Sequence, residues 1–333
     1  MSSELPIVGV TMGDPAGVGS EIIVEAYPQV SSEARLVVLG DADVMADAVG
    51  VCESDLDLRS VEGIEEARFE PDVLDVVDFD NVGDLERGAT RGEYGRASLK
   101  YVEQGIDLAV EGTIDAMCNA PINKKALELA GSDYAGHTNL LADRTGTDDY
   151  SMLLVQRDIR VTHVTVHMPL QEAIGAITTD SVLDTIRVTD DGLEELGIDD
   201  PRIAVAGLNP HAGEGGVLGS RDAAAIEPAI ERAQAEDIDA SGPYAADNVF
   251  NQAAVGRYDG VVAMYHDQGH VPVYVHGLLP SGGVAGVNMT IGLPIVRTST
   301  MHGTAFDIAG TGVADPDSIV DAIRAASRAA ENG

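Results

Sequence analysis

The feature that most restricts this chain is a steady alternation of apolar runs with helical segments, present from its first strand onward. LPIVGVTM reads as a buried strand, GDPAGVGSE as a glycine-rich turn and EIIVEAYPQV as a helix ended near Pro28. ARLVVLGD and DADVMADAVGV repeat the strand–helix unit, and a candidate strand lies at Leu74–Phe79 within an acidic, irregular stretch over 52–93. Ala97–Gly112 predicts a helix, Ala116–Asn119 a short strand, and SMLLVQRD with RVTHVTVHMPL a pair of strands. A helix near 180–196, the strand RIAVAGL and an Ala-rich helix over Ser220–Ala235 follow. The apolar strand VVAMYHD, then VPVYVHG, and an amphipathic helix over Pro316–Glu331 complete the pattern. Such alternation builds a mostly parallel sheet with helices on its faces. Length adds a second bound: 333 residues suit about two domains. No repeat or linker separates them, so the domains form by the chain crossing between them.

Charge narrows the partners. Twenty Lys plus Arg against 56 Asp plus Glu leave a net −36, a field that repels nucleic-acid phosphates and anionic lipid heads. Lysine is confined to Lys100, Lys124 and Lys125. Because the acid is spread along the whole chain rather than gathered in a tail, the composition suggests a salt-adapted protein, in which screening over a few ångströms offsets self-repulsion. An acidic enzyme of ordinary surroundings is the plainer alternative. Two cysteines in unlike contexts, Cys52 and Cys118, make neither a disulfide framework nor a zinc cluster and are expected to be reduced. MSSELPIVGVTMGDPAGVG has no basic n-region, and no run approaches the ~20 apolar residues that span a bilayer, so a soluble, cytoplasmic protein is expected.

Three groups of residues carry candidate chemistry. Gly13, Gly17 and Gly19 sit between strand and helix, where an anion or cofactor can meet a helix N-terminus. The turn lacks both the Gly-Lys-Ser/Thr of a P-loop and the spacing of GxGxxG, and a purely structural role is equally compatible with it. Five histidines, His137, His167, His211, His266 and His270, fall at expected strand ends or in loops beside glycine or proline, where α/β enzymes build sites. Three neutral imidazoles with nearby carboxylates suit Zn²⁺, Co²⁺ or a similar divalent ion. Positive charge is scarce enough to be informative: Lys124 and Lys125 follow the NAP turn, and Arg297 lies between an apolar strand and a glycine loop. Any anionic substrate has to be gathered by such residues, although the lysines also read as a surface pair.

TMGDPAGVGSEI, NAPINK, AGHTNLLA, HMPL, GLNPHAGEGG, GPYAADNVF, YHDQGH, GVNMTIGLPIVRTS and HGTAFDIAGTG occur in the order seen in the 4-hydroxythreonine-4-phosphate dehydrogenase family of pyridoxal phosphate biosynthesis. The chain resembles that family over about residues 7–313. The resemblance implies an isocitrate/isopropylmalate dehydrogenase-like α/β fold, two α/β domains with a cleft between them. Residues 1–130 plus 286–333 would form the cofactor side, and 131–285 a central domain with the metal ligands and dimer interface. It further implies that His167, His211 and His266 ligate a divalent metal (Zn, Co, Mg or Mn) shared between the subunits of a homodimer. His137, Thr138, Asn288 and Arg297 match substrate-contacting positions, and Asp247 and Asp267 match acidic, catalytic ones. The loop holding His302, Gly303, Thr304 and Asp307 would face NAD or NADP. The implied reaction oxidises the hydroxyl of a phosphorylated four-carbon hydroxy acid, with decarboxylation where the new ketone lies β to a carboxylate.

The chain departs from the family pattern in one place that matters. Where the family has a substrate-contacting lysine eight residues after the YHDQG histidine, this chain has Tyr274, and HGLLPSGGVAG after it is also unusual. His276, Lys124 or Lys125 could supply the lost charge, the substrate could be less anionic, or proton transfer could be arranged differently. Ser20 replaces a usual proline and is expected to cap the helix behind it. Two further readings therefore stand beside the first: a dehydrogenase of an unphosphorylated diol carboxylic acid, and a non-catalytic ligand-binding relative. Retention of the three histidines and Arg297 argues against the last.

Overall fold

A computed structural model describes residues 4–132, 134, 137–147, 150–277 and 286–332, with the backbone alone for 137–139. In chain order the elements are β1 (Ile7–Thr11), α1 (Gly19–Val30), β2 (Arg35–Gly40), α2 (Ala42–Val51), β3 (Asp57–Val61), β4 (Val73–Asp78), α3 (Gly92–Val110), β5 (Ala116–Asn119), α4 (Lys124–Ala130) and α5 (His137–Thr145). Then come β6 (Ser151–Gln156), β7 (Ile159–His163), α6 (Leu170–Ala176), α7 (Thr179–Glu195), β8 (Ile203–Ala206), α8 (Glu227–Gln234), β9 (Ala240–Tyr244), α9 (Ala246–Ala254), β10 (Gly260–Ala263), α10 (His266–His276) and β11 (Val287–Ile291). The chain closes with β12 (Val296–Thr300) and α11 (Asp317–Asn332). Two compact units result: Met1–Asp148 with Leu293–Glu331, and Asp149–Gly292. Helix α5 thus goes with the first unit and β11 with the second.

In the first unit the strands run in the order β3-β4-β2-β1-β5-β12, every pair parallel. Parallel strands are buried on both faces, and so they read as unbroken apolar runs: Val8, Val10, Leu36 to Leu39, Met117 and Cys118 are all within the core. Tyr94, Tyr101, Val102 and Ile106 of α3 complete that core. Helix α3 lies so close to α4 that a Cβ on Gly95 would stand 2.1 Å from the Ala126 carbonyl oxygen. Helix α1 runs on through Pro28 to Val30. Pro28 occupies its last turn.

The second unit orders its strands β11-β6-β7-β10-β8-β9. β6 is antiparallel to both β11 and β7, with Gln156 opposite Ile159, whereas β7, β10, β8 and β9 are parallel. Leu153, Val161, Ile203, Val205, Val261 and Val262 meet Val182, Leu183, Ile186 and Leu193 of α7 in its core. A reciprocal Thr178–Ser181 pair caps α7. One element differs from the sequence reading. The alternating VPVYVHG belongs to helix α10, which His266 opens, so His266 and His270 lie on a helix and not in a loop. Among the described residues no helix is long and apolar enough to cross a membrane.

Candidate active site

Strand β7, the bend that follows it and helix α10 of the second unit bring four histidines together. His163 ends β7 and His167 lies in the bend after it, while residues 266 and 270, one helical turn apart, share a face of α10. The rings of His167 and His266 have centroids 5.7 Å apart, those of His163 and His270 4.7 Å, and His266 stacks on His270 at 3.6 Å and 12°. His266 Nδ1 lies 2.7 Å from the Asp267 carboxylate. A carboxylate accepts, so Nδ1 carries the proton, and the neutral ring in this tautomer offers Nε2 to a metal. Burial first, then the neighbouring imidazoles, pushes His163 down to about 3 and His270 to about 4, so both rings are neutral at physiological pH. The facing imidazoles of His167 and His266, with the Asp267 carboxylate behind one of them, are the donor types that suit a borderline-soft divalent cation.

His211 sits apart from this pair. It opens a turn in which five consecutive residues, His211 to Gly215, hold φ between 43° and 78°. Left-handed backbone costs a non-glycine residue roughly 1–2 kcal/mol, and His211, Ala212 and Glu214 all adopt it. Buried Asp222 anchors the turn: its carboxylate accepts Leu208 N–H at 2.7 Å and the Asn209 side-chain amide at 2.6 Å. His211 itself is exposed and, among the described residues, has no ring contact with His167 or His266. Within this chain alone, no group of three His, Cys, Asp or Glu among the described residues is arranged to hold a metal. Asp247 is exposed in the first turn of α9, and Asn288 is half-buried on β11 opposite Leu154.

The first unit carries the glycine-rich elements. Asp14 ends the β1 turn fully buried, with one carboxylate oxygen accepting Ala16 N–H at 2.9 Å and the other without a hydrogen-bond partner. Burial pushes its carboxyl up to about 6. The following turn is locked to the 302–312 loop: Val18 N–H donates to Thr304 O at 3.1 Å, and Glu21 accepts Gly310 and Gly312 N–H at 2.7 and 2.9 Å. The packing is tight at Gly17, where a Cβ would stand 3.0 Å from Thr304. Arg87 Nη1 ties the turn from the other side, donating to Pro15 O, Gly17 O and the Ser20 hydroxyl. Ser20 is thus a partner of Arg87 and not a helix cap; the cap position is Val18, with no side-chain bond. His302 Nδ1 lies 2.9 Å from Gly303 O, and its Nε2 is buried without a partner. Asp307 is exposed.

Asp41 is buried, and its oxygens are taken by the N–H groups of Val44, Asn81 and Val82. Arg297 on β12 is 2 % exposed and donates through Nε to Asn119, which in turn donates to Thr11. Burial lowers its pKa to about 10, so the guanidinium stays charged at neutral pH. Lys125 pairs with Glu128 on the surface, and Lys124 beside it is exposed. Both cysteines are free thiols, pushed up to about 12 mainly by burial. The side chains of His137 and Thr138 lie outside the described residues, although both belong to the first turn of α5. His163 escaped the sequence reading because it falls at the end of a buried strand, and only its contact with His270 across elements sets it apart.

A chain of two α/β units, one with a histidine cluster and one with interlocked glycine-rich loops, falls among α/β proteins with a candidate divalent-metal site. It belongs to the family of the pyridoxal phosphate biosynthetic protein PdxA, whose model matches residues 32–326. D-threonate 4-phosphate dehydrogenase of Cupriavidus necator is 44% identical over 328 residues, with 97% of each chain covered. A crystal structure of a 4-hydroxythreonine-4-phosphate dehydrogenase from Burkholderia phymatum is 43% identical, covers 98% of this chain and 99% of its own, and superposes with a TM-score of 0.85. A terephthalate 1,2-cis-dihydrodiol dehydrogenase from Burkholderia xenovorans is more distant, at 30% identity, 98% coverage of both chains and a TM-score of 0.68.

Proposed function

We propose that this protein is a divalent-metal-dependent, NAD- or NADP-linked dehydrogenase of a phosphorylated four-carbon hydroxy acid, D-threonate 4-phosphate or a close analogue such as 4-phosphohydroxythreonine, acting with decarboxylation. The observation that carries the reading is the facing pair His167 and His266, with Asp267 on His266 Nδ1, in a chain of this family. The proposed ligands are His167, His211 and His266. A cation bound there would supply a Lewis acid to lower the pKa of the substrate hydroxyl, and the nicotinamide would supply a hydride acceptor. Asp267 holds His266 in the ligating tautomer, and Asp247 is the second acidic group offered to the hydroxyl proton. Arg297, with His137, Thr138 and Asn288, binds the anionic substrate; a charged, buried guanidinium braced by Asn119 loses little freedom in doing so. His302, Gly303, Thr304 and Asp307 line the nicotinamide cofactor side, beside the locked 13–20 turn.

A homodimer accounts for the isolation of His211, since a second copy then completes the ligand set across an isologous interface. Exposed apolar side chains close in sequence to the histidine pair, Leu170 and Ile174 on α6 with Val271 and Val275 on α10, support an interface there. The −36 charge supports a cytoplasm rich in salt as its working medium. Tyr274 in place of the family lysine favours a second reading, oxidation of an unphosphorylated diol acid, the substrate type named in the Burkholderia xenovorans relative. Cofactor reduction by paired phosphorylated and dephosphorylated substrates separates the two. Higher kcat/KM for the 4-phosphates is expected; equal or higher values for the plain acids would overturn the first reading.

A further inference from the structure

The proposed ligand His266 is poorly held by its own position. It is the first residue of α10, its side chain is 37% exposed, and its one side-chain hydrogen-bond partner, Asp267, is 79% exposed. An exposed carboxylate can select a tautomer, but it cannot fix the plane of a ring. That plane is set from below. His270, one turn further along the same helix, lies flat against His266 at 3.6 Å and 12°. His270 Nδ1 stands 3.1 Å from the His266 carbonyl oxygen and 3.2 Å from His163 Nε2. A carbonyl only accepts, so His270 Nδ1 carries its proton and shares it with an unprotonated His163 Nε2.

His163 supplies the rigid end of this chain of contacts. It is 4% exposed at the end of β7, with β10 paired alongside. Gly269 exists to admit it: a Cβ at that position would stand 2.3 Å from His163 Nε2 and 2.7 Å from Val161. Sheet, His163, His270 and His266 therefore form one continuous chain of contacts from the core to the site.

We infer that His270, anchored by His163, is a positioning residue that holds the ring of His266 in the orientation required for cation binding. The inference rests on the proposal that His167 and His266 ligate a divalent metal. His270 is not itself a ligand, because two rings stacked within 12° send their in-plane lone pairs along parallel lines and not towards one ion. The platform should therefore depend on a flat ring at position 270 more than on its nitrogens.

Cobalt(II) titration of the full-length, chelator-stripped protein, followed by its visible ligand-field absorption, tests this without turnover. His270→Leu should weaken cobalt binding about 10- to 100-fold, the usual scale for groups that orient metal ligands, with a changed band shape. His270→Phe, which keeps a flat ring, should bind within a few-fold of wild type, and His163→Leu should fall between. Circular dichroism confirms that each variant is folded; should His270→Leu not fold, His270→Phe and His163→Leu decide. Equal losses in His270→Leu and His270→Phe would make the ring a ligand and overturn the inference. So would wild-type affinity in every variant. His167→Ala separates the layers: if it abolishes binding while the position-270 variants are unaffected, only the positioning role fails. If wild type binds no cobalt, the metal reading fails with it.

Discussion

Asp14→Asn should change stability in a strongly pH-dependent way, increasingly in favour of the variant as pH rises. The carboxyl of Asp14 is fully buried, one oxygen lacks a partner, and its pKa rises from 3.8 to about 6 on folding. Below pH 3.8 it is neutral in both folded and unfolded chains and contributes nothing to the pH dependence. Between 3.8 and about 6 the unfolded chain ionises first, so stability falls as pH rises; above about 6 the penalty is complete. At 1.36 kcal/mol per pH unit this amounts to about 3 kcal/mol. Asparagine has the same shape, keeps an oxygen for Ala16 N–H and never ionises. Its own unpartnered amide nitrogen carries a cost of ~1–3 kcal/mol, but that cost does not change with pH and so drops out of the comparison between pH values. The measurement is urea unfolding of wild type and variant at constant ionic strength from pH 4 to 8. The stability difference should move by about 2.4 kcal/mol in favour of the variant across that range, most of it between pH 4 and 6.5, because the unfolded carboxyl is already more than half ionised at pH 4. A difference independent of pH would mean that Asp14 has an ordinary pKa and that its free oxygen is solvated.

Other substitutions probe the remaining parts of the account. Ala212→Gly relieves left-handed strain of ~1–2 kcal/mol and adds unfolded-chain entropy of ~0.4–1 kcal/mol, so a net gain of about 0.5–1 kcal/mol is expected in the denaturant midpoint at unchanged m-value; a loss would mean the turn is unstrained. Melting temperature should rise from dilute to molar potassium chloride as the Debye length contracts from ~30 Å to ~3 Å, and a flat profile would reject salt adaptation of the −36 chain. Tyr274→Lys should lower the Michaelis constant for a phosphorylated substrate about tenfold or more, the worth of a charge-assisted hydrogen bond of ~1.5–3 kcal/mol, and leave the plain substrate little changed. Equal effects on both would remove Tyr274 from the phosphate end.

Much of this was legible in the sequence for identifiable reasons. Parallel strands such as ARLVVLGD leave unbroken apolar runs, and glycine-rich turns mark where strands give way to helices. What was not legible depends on packing across elements. VPVYVHG alternates like a strand but belongs to α10, whose exposed Val271 and Val275 do not obey a simple buried stripe. The left-handed turn at His211 cannot be anticipated where Ala212 and Glu214, not glycine, occupy positive φ; Asp222, eleven residues further on, is what braces it. Ser20 reads as a cap from its position near a helix start, yet Arg87, far away in sequence, claims its hydroxyl. His163 is one more buried strand residue until its distance to His270 is known.

The central claim is that a divalent cation at the histidine site makes this chain a dehydrogenase of a phosphorylated hydroxy acid. Its most direct test is reduction of NAD⁺ and NADP⁺ with D-threonate 4-phosphate in molar potassium chloride, before and after removal of metal by chelation. The account predicts turnover by the native protein, none after stripping, and recovery on adding back a divalent ion to wild type but not to His167→Ala or His266→Ala. Undiminished turnover by the stripped protein, or by either variant, would contradict it.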